Sequence, residues 1–168
     1  MAGRTALPVG TGGRFRFNCI NTPGRGDRYD FLVANELPDV LRLGIAEIDM
    51  EHLLQVQILT AMLDAFAEDD WPRASELIGQ LQDVTEAHFV AEQLLMRLHA
   101  YPGYAIHERE HDQLIQELRA LEESIVSEET GLPLAARSFE LWLIHHIHTA
   151  DKAFATFLLE RESGSSVS

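Results

Sequence analysis

Between His88 and His111 the chain reads HFVAEQLLMRLHAYPGYAIHEREH, and its imidazoles and carboxylates recur at one spacing. Glu92 follows His88 by four residues, the Pro102-Gly103 pair intervenes, and His111 follows His107 by four. On a helix, residues four apart share a face, with Cβ atoms about 5–6 Å apart. Two helices joined by a turn would therefore each present a pair of potential metal ligands. Further candidates are His52 near the start of an earlier apolar-periodic stretch, and His146 with Asp151 in the last one. His99, His145 and His148 fall outside this set. His99 sits at a helix end, and His145 and His148 point away from His146 by about 100° and 200° on a regular helix.

These residues need elements that bring them to one height. Leu37–Asp49 reads as an extended lead-in broken by Gly44, with Asp49 capping a helix that begins at Met50. Leu53, Val56, Leu59, Leu63 and Phe66 form the core stripe of that helix. Pro72 suits the first turn of a second helix that runs to Leu98, with stripe positions Leu77, Leu81, Val84, Phe89, Leu94 and Leu95. A third helix is expected from Ala105 to Val126, with Ile106, Leu114, Leu118, Leu121 and Ile125 facing inward. SEETGLP is a connector, and a fourth helix follows from Leu134 to Glu160. Four long amphipathic helices with short connectors predict an all-α fold, an antiparallel up-down-up-down four-helix bundle with an irregular N-terminal arm. The expected division is a poorly ordered arm over 1–36, a bundle over 37–161 and a disordered tail over 162–168. The arm is rich in Gly and Arg, and a downstream start codon is an alternative explanation for it. In such a bundle His52, His88, Glu92, His107 and His111 lie at similar heights, so one cluster is geometrically permitted.

The last helix carries an irregularity. His146 and Asp151 are five residues apart, and i+5 on an ideal helix is about 140° round. Ala150, at i+4, has no ligand atom. If both residues serve one centre, the backbone must widen, and a single-turn π-bulge near 146–151 is predicted.

Composition limits the partners. The net charge is −14, which disfavours nucleic acid and anionic membrane surfaces, both of which call for basic patches. No apolar run approaches the ~20 residues of a membrane span, so no membrane insertion is expected. The N-terminus lacks the apolar stretch of a secretory signal. The single cysteine, Cys19, forms no internal disulfide and suits a reducing, cytoplasmic setting.

Five imidazoles and two carboxylates exceed one tetrahedral zinc, and two metals are implied. The donor set suits iron, with zinc or manganese as alternatives. Five imidazoles, two bridging carboxylates and one shared oxygen would fill all but one position of two six-coordinate metals. One metal alone would then be open to a small ligand.

The combined pattern GIAEIDMEH (Gly44–His52), HFVAEQLLM (His88–Met96), HEREH (His107–His111) and WLIHHIHTAD (Trp142–Asp151) resembles the hemerythrin family in its bacterial form. The resemblance covers roughly residues 37–160 and fills all the ligand positions. It implies two Fe ions in an oxo- or hydroxo-bridged pair. His107, His111 and His146 would hold one iron, His52 and His88 the other, which keeps the open position, and Glu92 and Asp151 would bridge. Phe89, Trp142, Leu143 and Ile147 match positions of an apolar oxygen pocket. The sequence departs from the family near Leu37, where Trp is frequent, at Gln93, where a second Glu is frequent, and at Phe154, where Tyr is frequent. None of these is a ligand position, and they bear on pocket polarity.

The function expected is reversible binding of O2 for carriage, storage or delivery. Oxygen or redox sensing through a partner protein is the alternative, with self-association as another possible contact. A di-iron oxidase or peroxidase, or an iron-storage protein, ranks below these. The imidazole-rich set favours holding oxygen over activating it, so the chain is not expected to be an enzyme.

Overall fold

The computed structural model describes residues 37–126 and 131–165. The expected arm with Cys19, the middle of the third connector and the last three tail residues lie outside the described residues. A short 3-10 turn at Asp39–Leu41 leads into α1 (Ala46–Ala67), α2 (Trp71–Leu98), α3 (Tyr104–Val126) and α4 (Leu132–His146). A π-helical turn at Ile147–Asp151 joins α4 to α5 (Lys152–Ser165). The backbone is right-handed helical at Ile147 and Lys152, so α4, the π turn and α5 form one continuous fourth helix. Helix α1 packs on α2, α2 on α3, α3 on α4 and α4 back on α1, which closes a four-helix bundle. Among the described residues no strand is present.

The helix boundaries follow local chemistry. Asp70 caps α2 by accepting from the Arg73 backbone N–H at 3.2 Å, and Pro72 sits in the first turn where its missing N–H costs nothing. At the α2–α3 turn, a Cβ on Gly103 would stand 2.7 Å from the Tyr101 ring. That ring cannot easily yield, because it packs against Phe154 and Phe157 at 5.1 Å each.

The lead-in differs from the sequence expectation. Helix α1 begins at Ala46, and Asp49 lies inside it. Its carboxylate reaches back to accept from the backbone N–H groups of Leu43 and Gly44 at 2.7 and 3.1 Å. Those bonds fix the turn in which Gly44 adopts φ +86°, the left-handed region that favours glycine. The lead-in is therefore a tied-down 3-10 turn and loop, with Leu37, Leu41 and Leu43 buried. Replacing Asp49 by Ala is expected to destabilise the fold by about 1.5–3 kcal/mol, the scale of hydrogen bonds to a charged group. A urea titration of the metal-free protein checks this. Leu94 and Ile106 are exposed rather than inward, and the fourth helix starts at Leu132 and continues to Ser165.

The core is split. The main apolar cluster fills one end of the bundle, from Leu59 to Phe66 on α1, up to Phe89 on α2, from Leu114 on α3 and up to Ile147 on the fourth helix. Met96, Phe154 and Leu158 form a separate cluster at the other end. Between the two lies a layer of buried polar side chains.

Candidate metal centre

That layer contains His52, His88, Glu92, His107, His111, His146 and Asp151, each no more than 3% exposed. So the structure brings together all the residues singled out by spacing. They converge in two groups, Glu92, His107, His111, His146 and Asp151 in one, and His52, His88 and Asp151 in the other. Asp151 belongs to both. Its Oδ1 lies 2.9 Å from His107 Nε2 and 3.0 Å from His146 Nε2, and its Oδ2 lies 3.2 Å from His52 Nε2. Glu92 Oε2 is 3.2 Å from Nε2 of His107 and of His111, and 3.9 Å from His88 Nε2. His52 and His88 bring their Nε2 atoms to 3.2 Å of each other.

The π turn makes this possible. Ile147–Asp151 widens the helix where spacing required it, and His146 and Asp151 meet at one point although they are five residues apart.

The donors suit a cation. Both carboxylate oxygens of Glu92 and of Asp151, and Nε2 of His107, His111 and His146, are buried without a hydrogen-bond partner among the described residues. They approach one another at 2.9–3.2 Å without hydrogen-bond geometry, and the ligand atoms of each group lie within 4.8 Å of one another. Each such group costs about 1–3 kcal/mol when left unpaired, and a cation is the species that satisfies nitrogen lone pairs and carboxylate oxygens together. In the metal-free chain, protons take that role. Burial pushes His107 and His146 down, but the adjacent carboxylates overcome it and hold them up at about 9 and about 10. Burial dominates at His111 and lowers it to about 4. Burial also pushes the Asp151 carboxyl up, yet the His146 charge and the close imidazoles hold it well below the usual range. Metal loading displaces such protons, since imidazole binds metal in its neutral form.

Sequence reasoning missed the groups that orient the imidazoles. Glu51 on α1 approaches His88 Nδ1 at 2.7 Å, and Glu110 on α3 approaches His146 Nδ1 at 2.9 Å. The hydrogen bond to His88 lowers the pKa of Glu51, and the one to His146 lowers that of Glu110. Gln93 lies 3.3 Å from His111 Nδ1. An available signal was the Glu-His dipeptide, at Glu51-His52 and again at Glu110-His111. In each, the acid stands beside a candidate ligand and serves the imidazole of a neighbouring helix. Carboxylate partners of this kind fix ring orientation and raise ligand basicity. Replacing Glu51 or Glu110 by Ala is expected to weaken metal retention about 10–100-fold, read as iron kept against a competing chelator.

The four pocket candidates separate. Phe89 stacks on His111, with ring centres 3.7 Å apart and planes 5° from parallel. Leu143 and Ile147 are buried in the main core, while Trp142 is only half-buried against it. Of the histidines set aside, His145 and His148 are exposed, and His148 Nδ1 lies 3.2 Å from the Val40 carbonyl, which ties the lead-in to the π turn.

Residues 43–158 match the family model of the hemerythrin HHE cation binding domain. The chain belongs to the hemerythrin family. The bacteriohemerythrin of Stenotrophomonas maltophilia (strain R551-3) is 30% identical over 122 residues, covering 70% of this chain and 76% of that protein. The bacteriohemerythrin of Aquifex aeolicus (strain VF5) is 25% identical over 119 residues, covering 69% of this chain and 91% of that protein. Myohemerythrin of Sipunculus nudus is 30% identical over 95 residues, covering 56% and 72%. Membership in the hemerythrin family carries the coarse function: iron and oxygen binding. The matched span takes in every residue of the buried donor layer. Among the described residues, no helix is long and apolar enough to cross a membrane.

Proposed function

We propose that the chain binds O2 reversibly at a di-iron centre, for carriage, storage or delivery in the cytoplasm. The observation that carries this reading is the unequal division of the donors, three imidazoles on one side, two on the other and Asp151 common to both. His107, His111 and His146 would hold one iron, and His52 and His88 the other. Glu92 and Asp151 would span the pair. Two ferrous irons, when bound, supply two electrons and one coordination position free for a small ligand. The protein residues do the rest. With only two imidazoles, the His52–His88 side would hold its metal with fewer protein donors and would leave room there for a small ligand. Phe89, Leu143 and Ile147 wall the layer with buried apolar groups that limit water. Glu51 and Glu110 hold His88 and His146 in orientation from the bundle surface. Five neutral imidazoles against two carboxylates favour binding over oxidative turnover, so the chain acts as a binder and not as an enzyme.

Cycling the gas tests the reading. The iron-loaded protein is reduced without oxygen, exposed to air, and then flushed with argon while its visible absorbance is followed. A band that appears with air and disappears with argon over repeated cycles is expected. A single irreversible bleaching or oxidation on first contact with air contradicts reversible binding.

A further inference from the structure

Two buried polar residues lie beside the candidate centre and outside its donor set. Gln55 and Thr85 are both fully buried, and the Gln55 amide Nε2 donates to Thr85 Oγ1 at 3.2 Å. Gln55 follows His52 by three residues on α1, and Thr85 precedes His88 by three on α2. Residues three apart on a helix are surface neighbours, so the pair sits one turn from the two imidazoles of the smaller donor group. It lies on the side of the main core, since Leu59 on α1 and Leu81 on α2 come next. The Gln55 carbonyl oxygen, Oε1, has no hydrogen-bond partner among the described residues. Leaving an amide oxygen bare in an apolar core is unfavourable, and a Leu or Met would fill the same volume without that oxygen, leaving only the Thr85 hydroxyl to satisfy. A carboxamide at this place calls for a hydrogen-bond donor.

We propose that Gln55, positioned by Thr85, is the polar wall of the small-ligand pocket on the His52–His88 side, and that its Oε1 accepts a hydrogen bond from water or another protic small ligand held there. The proposal rests on the reading of the centre as a di-iron oxygen site with its free position on that side. Its consequence is a pocket that admits a proton donor next to the bound gas. Such a pocket shortens the life of the oxygen-loaded state and sets how quickly the bound gas is given up. Gln55 is a specificity-determining residue in this account, and the apolar residues Phe89, Leu143 and Ile147 close the rest of the wall.

The test replaces Gln55 by Leu and, separately, by Met, which keeps the unbranched shape. Iron content and air–argon cycling of the parent are measured first. A parent that fails to load two irons or to cycle contradicts the proposed function itself, independently of Gln55. With a cycling parent, both variants are expected to keep two irons and to hold the oxygen-loaded state about three- to tenfold longer, the range set by one neutral hydrogen bond. The melting temperature of the metal-free protein should stay close to the parent's, because removing the unsatisfied Oε1 offsets the lost hydrogen bond to Thr85. An unchanged lifetime in both variants overturns the proposal and leaves Gln55–Thr85 as a core hydrogen bond only. A shorter lifetime overturns it as well.

Discussion

Replacing Asp151 by Ala is expected to abolish stable loading of both metals, leaving well under one iron per chain. No other residue of the cluster belongs to both donor groups. Its two oxygens divide the work, Oδ1 facing His107 and His146 and Oδ2 facing His52. Truncation removes an anion from a layer in which His107 and His146 are held protonated when no cation is present. Breaking a buried ionic pair from one side costs about 3–5 kcal/mol, so the metal-free variant should also melt lower. Asp151→Asn separates the two effects. It keeps the shape and one carbonyl oxygen but removes the charge, and it should retain more stability than Ala while still losing iron. Metal analysis of the purified variants, paired with thermal melts of the metal-free forms, reads both quantities. Full loading with two irons in the Ala variant would show that Asp151 does not bridge.

Phe89→Ala should combine a large loss of stability with a change at the site. The ring is 3% exposed, belongs to the main core and lies flat on His111. Removing a buried Phe costs about 3–5 kcal/mol, or roughly 6–20 °C in melting temperature at this chain length. The cavity left behind borders the imidazole of His111 and gives water a place beside the centre. The oxygen-loaded state should therefore decay faster in Phe89→Ala than in the parent. Phe89→Leu refills much of the space with apolar atoms, and it should recover most of the lifetime and a good part of the stability. Equal lifetimes in Ala and parent proteins would remove Phe89 from the pocket wall and leave it a core residue.

The bundle and the convergence of its polar layer were legible because they rest on short-range periodicities. Pairs at i and i+4 lie on one helix face whatever surrounds them, so His88 with Glu92 and His107 with His111 could be placed before any packing was known. The π turn was legible for a different reason. Ala150 offers no ligand atom at i+4 and Asp151 does at i+5, so a shared centre demanded a wider turn. What escaped depends on neighbours that periodicity cannot see. Leu94 and Ile106 fit a helical stripe, yet they are exposed, with no described helix over their faces. Asp49 looked like a cap at the start of a helix, but its carboxylate turns back to Leu43 and Gly44, so α1 begins one turn earlier. Glu51 and Glu110 look like ordinary surface acids, and only the packing of α1 on α2 and α3 on α4 brings them to His88 and His146. The Gln55–Thr85 pair was hidden for the same reason, since each residue alone reads as a polar interruption of a core stripe.

The central claim is that this one buried layer holds two irons per chain in unequal surroundings. Metal analysis joined to Mössbauer spectroscopy of protein loaded with enriched iron tests it most directly. The account predicts two irons per folded chain and, in the oxygen-loaded state, two distinct iron signals of equal area. A single metal ion per chain, or one tightly held zinc with no iron signal, would contradict it.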